Sequence, residues 1–364
     1  MLLKKNVIIL HPSDKSACAF YRCNAMAMLL NSSRGGDVEV IVSRAEITDE
    51  YVLKYTAAVV FFRVINESQE TMLQHYKRKR NKLGFKIFVD YDDIVFDING
   101  KNTITEYNNY PIDTIAAGKV MERALKDVDG VTVTTEWLKQ CMFHRFGWTN
   151  VKVLSNSVPR YCFGQKPREE ISKDLEKPVV LYAGSTSHFS EGNPGDFAGP
   201  WVQWLRDAVE TDRIELHLFQ MPDFLADFSD KVTLHSQTSC VEFPSVVASI
   251  KPDFYLAPLS DNNFNRAKSN LKLLEAAAIG AVLVCSSFMW SPYEEAFPGA
   301  KVVKGDTPET LATMFGKLYH APMYNVALRW QRAVMNKFHY WMDSHEYMEK
   351  WLRAYLGDAL CVNK

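Results

Sequence analysis

The sequence has few of the features that assign a protein to a class at once. Its 364 residues include only 7 cysteines, which are scattered singly, with no CxxC pair and no His/Cys spacing typical of a zinc site. There is no Walker loop, and no nucleophilic triad is recognisable. We therefore expect reduced, packed cysteines and no metal centre.

The chain also lacks an excess of charge of one sign and a long hydrophobic run. Its 42 Lys and Arg against 43 Asp and Glu give a formal charge of −1, which argues against a surface that is basic overall. Any contact with nucleic acid must then come from a local patch. The first ten residues are too short an apolar run for a secretory core, and no segment reaches membrane-spanning length. We expect a cytoplasmic protein.

What the sequence does have is enough apolar residues for a sizeable core, at 47% of the chain, in a regular order of elements. Short β-branched runs alternate with helical patterns, which is typical of parallel sheets covered on both faces. The first series predicts strands at 6–10, 38–42, 58–62, 86–89, 131–134 and 151–154, with helices at 19–30, 68–82, 113–126 and 136–146.

A polar stretch at 159–177 predicts a linker, and a second series of strands and helices follows it. Its strands are predicted at 179–183, 214–219, 232–235, 254–257, 281–285 and 301–303, with helices at 201–210, 243–250, 269–279 and 308–319. We predict two doubly wound, Rossmann-like α/β domains that face a cleft, at 1–165 and 166–325. The aromatic-rich segment 326–364 predicts a helical tail that packs back on the first domain.

The most informative feature is a charged residue in an apolar setting. Glu275 lies in a short helix that is apolar nearly all round, where an ionised carboxylate needs a polar partner. Just before it, Ser269 or Asn270 can cap the helix, and Arg266 and Lys268 add positive charge. These groups predict an anion site. A diphosphate at the helix start and a ribose hydroxyl on the glutamate would satisfy both features.

The loop after the first strand offers a further ligand contact without a dinucleotide fingerprint. Small side chains near Ser16 let a ligand approach the next helix. Arg22 either reaches a phosphate from that helix or forms a surface or interdomain ion pair. Because GxGxxG is missing and no acid closes the second strand, the sequence argues against a dehydrogenase.

Acidic residues crowd the end of the fourth strand. Repulsion among them raises at least one pKa and predicts a general base or a hydroxyl-binding carboxylate at Asp92 or Asp93. Asp90 and Asp92 also match a metal-binding DxD pair. The alternative is a solvated acidic loop that caps a turn.

A glycine and three hydroxyl residues precede a histidine after the first strand of the second series. Gly184 and Ser185 can line an anion, and His188 faces the cleft as a donor to a phosphate or a leaving-group oxygen. A structural role is the alternative for a lone histidine.

A basic run that includes Lys77 and Arg78 lies in one amphipathic helix. Such a run is either a solvated helix face or a contact for the phosphates of a polyanionic acceptor.

These segments together resemble the nucleotide-sugar glycosyltransferases of the GT-B fold, in particular the retaining enzymes grouped with glycogen synthase and sucrose synthase relatives. The resemblance is specific in the C-terminal half of the chain and looser in the N-terminal half. It rests on residues 258–284, 89–96, 131–135, 153–158 and 182–188.

By this resemblance Glu275 bonds the donor ribose, and Lys268 and Arg266 hold the diphosphate. Further donor contacts are implied for Gly184, Ser185, His188, Ser269, Asn270 and Leu271, and the loop after the first strand adds Ser16 as a predicted donor contact. In many relatives a second glutamate, eight residues earlier, touches the donor sugar. Here that position is Ala267, which leaves the identity of the sugar open. The resemblance implies a nucleoside-diphosphate sugar as the donor, with UDP favoured, and no cofactor.

The loops at 16–22 and 268–272 also resemble glycosyltransferases of large bacteriophages, some of which modify hydroxymethylcytosine in viral DNA. This implies such DNA as one acceptor and the host cytoplasm as the location. Polysaccharide and small-molecule acceptors stay open, as does the oligomeric state.

The stereochemical outcome and the reaction class leave alternatives as well. If configuration is retained, the departing phosphate takes the acceptor proton; if it is inverted, Asp92 or Asp93 is the base. Closure of the two domains would exclude water. A nucleotide- or sugar-binding protein without turnover and a sugar-nucleotide epimerase are the other two classes that fit the sequence.

Overall fold

Two parallel sheets of six strands, one in each half of the chain, form the framework of the protein. The computed structural model describes residues 6–33, 38–98, 112–163, 169–184 and 188–357. The prediction of two doubly wound α/β domains is confirmed, and every predicted strand is present. Within the described residues no helix is long and apolar enough to cross a membrane.

The first sheet has the strand order β2-β1-β3-β4-β5-β6. Its strands are β1 (Val7–Pro12), β2 (Glu39–Val42), β3 (Thr56–Phe62), β4 (Lys86–Tyr91), β5 (Gly130–Val133) and β6 (Val151–Val153). The helices of this half are α1 (Ala17–Ala19), α2 (Ala25–Ser33), α3 (Glu50–Tyr55), α4 (Glu67–Leu83), α5 (Thr114–Ala124), α6 (Glu136–Phe146) and α7 (Arg160–Phe163). A π-helical segment, Phe20–Asn24, joins α1 to α2.

The second sheet has the order β12-β11-β10-β7-β8-β9. Its strands are β7 (Val179–Tyr182), β8 (Glu215–Leu218), β9 (Val232–Leu234), β10 (Phe254–Ala257), β11 (Val282–Ser287) and β12 (Lys301–Val303). The helices of this half are α8 (Pro200–Glu210), α9 (Phe243–Ile250), α10 (Asn263–Ala267), α11 (Leu271–Ile279), α12 (Pro308–Tyr319), α13 (Ala321–Lys337) and α14 (His345–Leu356).

Several helical segments differ from the sequence prediction, and three of them begin at a side-chain cap. The side chain of Asp49 accepts from two backbone N–H groups at the start of α3, and Asn262 caps α10 in a stretch predicted as loop. The predicted tail consists of two helices, since α13 ends at Lys337 and Ser344 caps a new helix, α14.

Contacts between the two halves of the chain hold the two domains together. Helix α14 lies on the first sheet, where the Tyr355 hydroxyl is 3.1 Å from Thr132 Oγ1, and the Tyr347 hydroxyl donates to the Ser155 carbonyl at 2.9 Å. One cluster of buried side chains spans both halves and includes Leu10 of β1 as well as Leu274 of α11. The loops after the strands of both sheets therefore meet around one interdomain space.

The side chain of Gln331 in α13 bonds two backbone groups at the start of β11. It is 1% exposed, accepts from Leu283 N at 2.7 Å and donates to Ala281 O at 2.8 Å. Gln331→Leu leaves both backbone groups buried without partners, so the free energy of unfolding should fall by about 2 kcal/mol or more. Urea denaturation measures this, with the surface variant Gln203→Leu as control; equal stability of the two variants would contradict the assignment.

Candidate functional site

A cavity of about 500 Å³ opens between the carboxyl ends of the two sheets, within the size range of ligand pockets. From the first domain it is lined by Ser16, Ala17, Cys18, Arg63, Asp92 and Asp93. From the second it is lined by Ala183, Gly184, His188, Phe219, Gln220, Gln237, Thr238, Cys240, Phe243, Lys268, Ser269, Leu271, Lys272, Glu275 and Tyr293. Most of the donor residues predicted from the sequence thus lie on the second-domain wall.

Glu275 is buried at 5% exposure and has the polar partners that the sequence required. Tyr21, from the π-helical segment of the first domain, donates to Oε1 at 3.1 Å, and Tyr255 of β10 donates to Oε2 at 3.0 Å. Burial raises the pKa of the carboxyl, although Lys272 and both tyrosines oppose that shift. The sequence anticipated a ligand hydroxyl at this position; in the structure each carboxylate oxygen accepts one tyrosine hydroxyl and keeps a further lone pair.

Lys272 is a cavity residue that the sequence interpretation missed. Its ammonium donates to the Ala183 carbonyl and lies 5.3 Å from the ring centroid of Tyr255. Burial lowers its pKa to about 8, with Glu275 opposing and Lys268 adding to the shift. Its position three residues before Glu275 places both on one face of α11, and that spacing was the available signal.

The start of α11 differs from the predicted cap. Asn270 is the N-cap residue, but its side chain makes no capping bond and instead donates to Glu295 Oε2 at 3.2 Å. Ser269 Oγ accepts from Asn156 of the first domain at 2.8 Å. The positive end of α11 is therefore left without a side-chain cap beside the cavity, where Leu271 and Lys268 also lie.

Lys268 and Arg266, predicted to act together, are separated by the structure. Lys268 lines the cavity, and its ammonium lies 4.5 Å from the Phe264 ring centroid. Arg266 is outside the cavity lining, because its guanidinium pairs with Asp261 at 2.7 Å and stacks over Trp137 of α6 at 5.6 Å. The prediction of a phosphate contact for Arg266 is therefore not met in this arrangement.

Ala267, which stands where many relatives have a glutamate, faces the other domain. It is fully buried in the first-domain core cluster, and its carbonyl accepts from Thr135 Oγ1 at 3.4 Å. A longer acidic side chain there would enter that apolar core.

His188 forms a buried pair with Asp196, an acid that sequence reasoning did not identify. The Nδ1 atom lies 2.8 Å from Asp196 Oδ2, and Asp196 also accepts from Asn265 Nδ2 at 2.6 Å and from Ser260 N at 2.9 Å. Burial lowers the pKa of His188 to about 4, and Lys268 adds to this against Asp196. The imidazole is neutral near pH 7, with Nδ1–H on the aspartate and Nε2 as an acceptor. The predicted donor role of His188 toward a phosphate would therefore require a second proton on the ring.

The backbone at Gly184 lies very close to the side chain of Tyr182. A Cβ at this position would be 2.0 Å from the Tyr182 hydroxyl oxygen, which is buried. Only glycine fits without moving Tyr182. Ser185, the predicted anion contact beside it, lies outside the described residues.

The acidic loop after β4 divides into carboxylates with different partners. Asp92 accepts from Arg63 Nε at 2.6 Å; burial would raise its pKa, but Arg63 overrides this and holds the pKa below its usual value. Burial raises the pKa of Asp93, against a smaller opposing effect of Lys268 and with repulsion from Asp92. Asp93 is thus the better proton acceptor of the two.

Arg63 was missed because nothing in its sequence neighbourhood marks it. It follows β3 with φ of 57°, a left-handed conformation uncommon outside glycine. This backbone turn places its guanidinium on the cavity wall beside Asp92.

Arg22 and Asp90 form a buried pair away from the cavity lining. Arg22 is 6% exposed; its guanidinium donates to both Asp90 oxygens at 2.8 and 2.5 Å and to the Leu154 carbonyl at 2.6 Å. The predicted phosphate contact of Arg22 is corrected to an internal ion pair. The two aspartates of the DxD pair face different arginines, Asp90 facing Arg22 and Asp92 facing Arg63. No group of three His, Cys, Asp or Glu that could hold a metal ion occurs in the described residues.

The basic run lies at the opposite end of the first sheet. Lys77 donates to the Ala124 carbonyl at 2.9 Å, and Arg80 donates to Asp127 O at 2.6 Å, just before β5 begins. Arg78 is exposed on the same helix. Because this edge holds the amino ends of the strands, Lys77 and Arg78 lie away from the cavity, and their contact with the phosphates of a polyanionic acceptor stays a prediction.

Arg22→Met tests whether Arg22 acts in the fold. Leaving Asp90 buried without its cation should lower the free energy of unfolding by about 3 to 5 kcal/mol. Chemical denaturation measures the loss, and Arg78→Met, on the exposed face of α4, should stay within about 0.5 kcal/mol of the parent. If Arg22→Met were as stable as the parent but bound a nucleoside diphosphate more weakly, the predicted contact of Arg22 with a phosphate would be supported instead.

The pair of His188 and Asp196 predicts a pH dependence of stability. Below pH 6.5, its usual pKa, His188 takes up a proton in the unfolded chain but not in the folded chain until about pH 4, so stability falls as the pH drops through this window. Between pH 7.5 and pH 5 this residue accounts for about 2 kcal/mol. His188→Asn should lose that much less stability over the same interval, whereas the exposed His144→Asn should match the parent. Identical slopes for His188→Asn and the parent would refute the assignment.

Comparison with known proteins supports the fold. No family model and no curated protein matches the chain. A glycosyltransferase from Rickettsia africae ESF-5 superposes over 100% of both chains at 12% identity with a TM-score of 0.61. An E. coli trehalose-6-phosphate protein bound with UDP-2-fluoro glucose covers 96% of this chain and 99% of its own at 10% identity, TM-score 0.56.

A third solved structure is larger than this chain. A S. aureus TarM mutant in complex with fondaparinux, α-GlcNAc-glycerol and UDP matches 83% of this chain and 55% of its own at 11% identity, with a TM-score of 0.53. At such identities the likeness establishes architecture. The protein has the two-domain α/β fold of the GT-B glycosyltransferases.

Proposed function

We propose that this protein is a glycosyltransferase that moves a sugar from a nucleoside-diphosphate sugar, with UDP-sugar favoured, to the hydroxyl of an acceptor. One observation carries the proposal: in a GT-B fold, one cavity wall brings together Glu275, Lys268 and Lys272. The UDP bound to TarM and the UDP-2-fluoro glucose bound to the E. coli protein support UDP as the nucleotide.

In this proposal the donor binds to the second-domain wall. Glu275 accepts the ribose hydroxyls, because a carboxylate oxygen that accepts from a tyrosine keeps a second lone pair. The diphosphate lies between Lys268 and the start of α11, where a cation and the helix dipole both favour an anion. Neutral His188 presents an acceptor atom, which suits a hydroxyl of the donor sugar better than a phosphate.

The reaction breaks the bond between the anomeric carbon and the β-phosphate oxygen and forms a bond from that carbon to the acceptor oxygen. Negative charge grows on the departing diphosphate, so Lys268 and Lys272 act where charge develops, and we assign no metal or cofactor beyond the nucleotide sugar. If configuration is retained, the departing phosphate takes the acceptor proton. If it is inverted, Asp93 takes it, since Asp92 is committed to Arg63.

The acceptor supplies a hydroxyl to the first-domain side of the cavity. A polysaccharide, a small molecule and hydroxymethylcytosine in DNA all offer such a group, and each belongs in an acceptor panel. The six cysteines among the described residues are free thiols, which supports the cytoplasm as the place of action.

Donor turnover tests the proposed function. The protein is incubated with UDP-, GDP- and ADP-sugars, with and without EDTA, and nucleotide release and product mass are followed. We expect UDP release that EDTA leaves unchanged and that falls about 100-fold in Lys268→Ala, since one contact to the leaving group is lost. Lys304→Ala, at an exposed lysine after β12, is the matched control.

The other two function classes give different results in the same assay. Tight nucleotide binding without turnover of any donor would indicate a binding protein. A donor with an epimerised sugar and no free nucleoside diphosphate would indicate an epimerase. Either outcome would contradict the transferase.

A further inference from the structure

The two walls of the cavity carry opposite charge. On the second-domain wall, Lys268 and Lys272 outnumber Glu275, and His188 is neutral near pH 7. On the first-domain wall, Asp92 and Asp93 outnumber Arg63. A ligand that spans the cavity therefore meets positive charge at one end and negative charge at the other.

The one cation of the first-domain wall already has carboxylate partners. Arg63 and Asp92 have side chains only 6% and 4% exposed and are joined at 2.6 Å. Asp14 adds a second carboxylate 3.9 Å from the same guanidinium. An anionic ligand would have to compete with buried Asp92 for Arg63 and would leave that carboxylate without its cation. Arg63 therefore offsets the negative charge of Asp92 and does not provide a binding site for an anion.

Asp93 has an oxygen available to a ligand. The residue is 8% exposed and lines the cavity. Its Oδ1 accepts from the Ile94 N–H at 2.9 Å, while Oδ2 has no hydrogen-bond partner among the described residues. Because Asp93 lines the cavity, a hydroxyl donor bound there would reach this oxygen in place of water.

We propose that the first-domain wall receives an uncharged acceptor, which donates its hydroxyl to Asp93, and rejects acceptors that carry a phosphate, sulfate or carboxylate beside that hydroxyl. This inference rests on the proposed transferase function and names its acceptor class. An anionic acceptor would face Asp93 on one side and the donor diphosphate on the other, and like charges at short range in a closed cavity repel strongly.

The same charge distribution disfavours a nucleic acid acceptor. Hydroxymethylcytosine brings a neutral hydroxyl, but in DNA phosphates flank it on both sides. The basic run on α4 that would hold such phosphates lies at the far edge of the first sheet, as its bonds to Ala124 and Asp127 show. Hydroxymethylcytosine DNA is therefore an acceptor whose modification would contradict the inference.

Paired acceptors test the charge selection. The panel matches glycerol with glycerol 3-phosphate, glucose with glucose 6-phosphate and glucuronate, neutral with sulfated oligosaccharides, and hydroxymethyldeoxycytidine with hydroxymethylcytosine DNA, each with the donor that the protein turns over. Transfer to a neutral member should exceed transfer to its anionic partner at least tenfold in kcat/KM. Equal or better use of an anionic member overturns the inference, as does transfer to no neutral member while donor hydrolysis continues. Absent donor turnover would overturn the proposed function itself.

Asp93→Asn separates a hydroxyl contact from a packing role. It removes the negative charge with little change of shape, so kcat/KM for the neutral acceptor should fall at least tenfold and the preference over the anionic partner should shrink. The Kd for UDP and the thermal midpoint should stay close to those of the parent, and Asp93→Glu should recover part of the rate. The exposed Asp230→Asn serves as control. An unchanged neutral-to-anionic ratio in Asp93→Asn would refute the role of this residue.

Discussion

The bonds of one buried carboxylate, Glu275, tie the two domains of this protein together. Its two oxygens accept from hydroxyls that come from opposite sides of the interface, Tyr21 in the first domain and Tyr255 in the second. Lys272 lies one turn away and offsets the charge. Because a buried carboxylate without such partners is costly, these contacts constrain where the π-helical segment, β10 and α11 meet, and the cavity lies at that meeting point.

Because of these contacts, the cavity has one positively charged wall and one acidic wall. Helix α11 carries Glu275 and brings its own positive end, with Lys268 beside it, to the same wall. The opposite wall is formed by residues that follow strands of the first sheet. It is acidic, because the cation of Arg63 is paired with Asp92. An anionic donor on the positive wall and an uncharged acceptor on the acidic wall fit this charge distribution. Transfer of a sugar from a nucleoside diphosphate to a hydroxyl requires such a pair of substrates.

The fold could be predicted from the sequence, because alternating apolar runs and helical periods are local signals that tertiary contacts do not override. Glu275 was also readable, since a charge in an apolar helix is an anomaly within a few residues. The partners of the charged residues could not be predicted. Arg22 pairs with Asp90, 68 positions away in the sequence, and the left-handed turn at Arg63 has no local signature. Asp196 was hidden in a polar loop that only tertiary folding brings to His188.

A crystal structure of the protein with UDP would show whether one wall of the interdomain cavity holds a nucleoside diphosphate. We expect the ribose hydroxyls on Glu275 and the diphosphate between Lys268 and the start of α11, with the Lys272 ammonium within reach of it. UDP bound elsewhere, or bound in the cavity with its phosphates toward Asp92 and Asp93, would contradict this expectation.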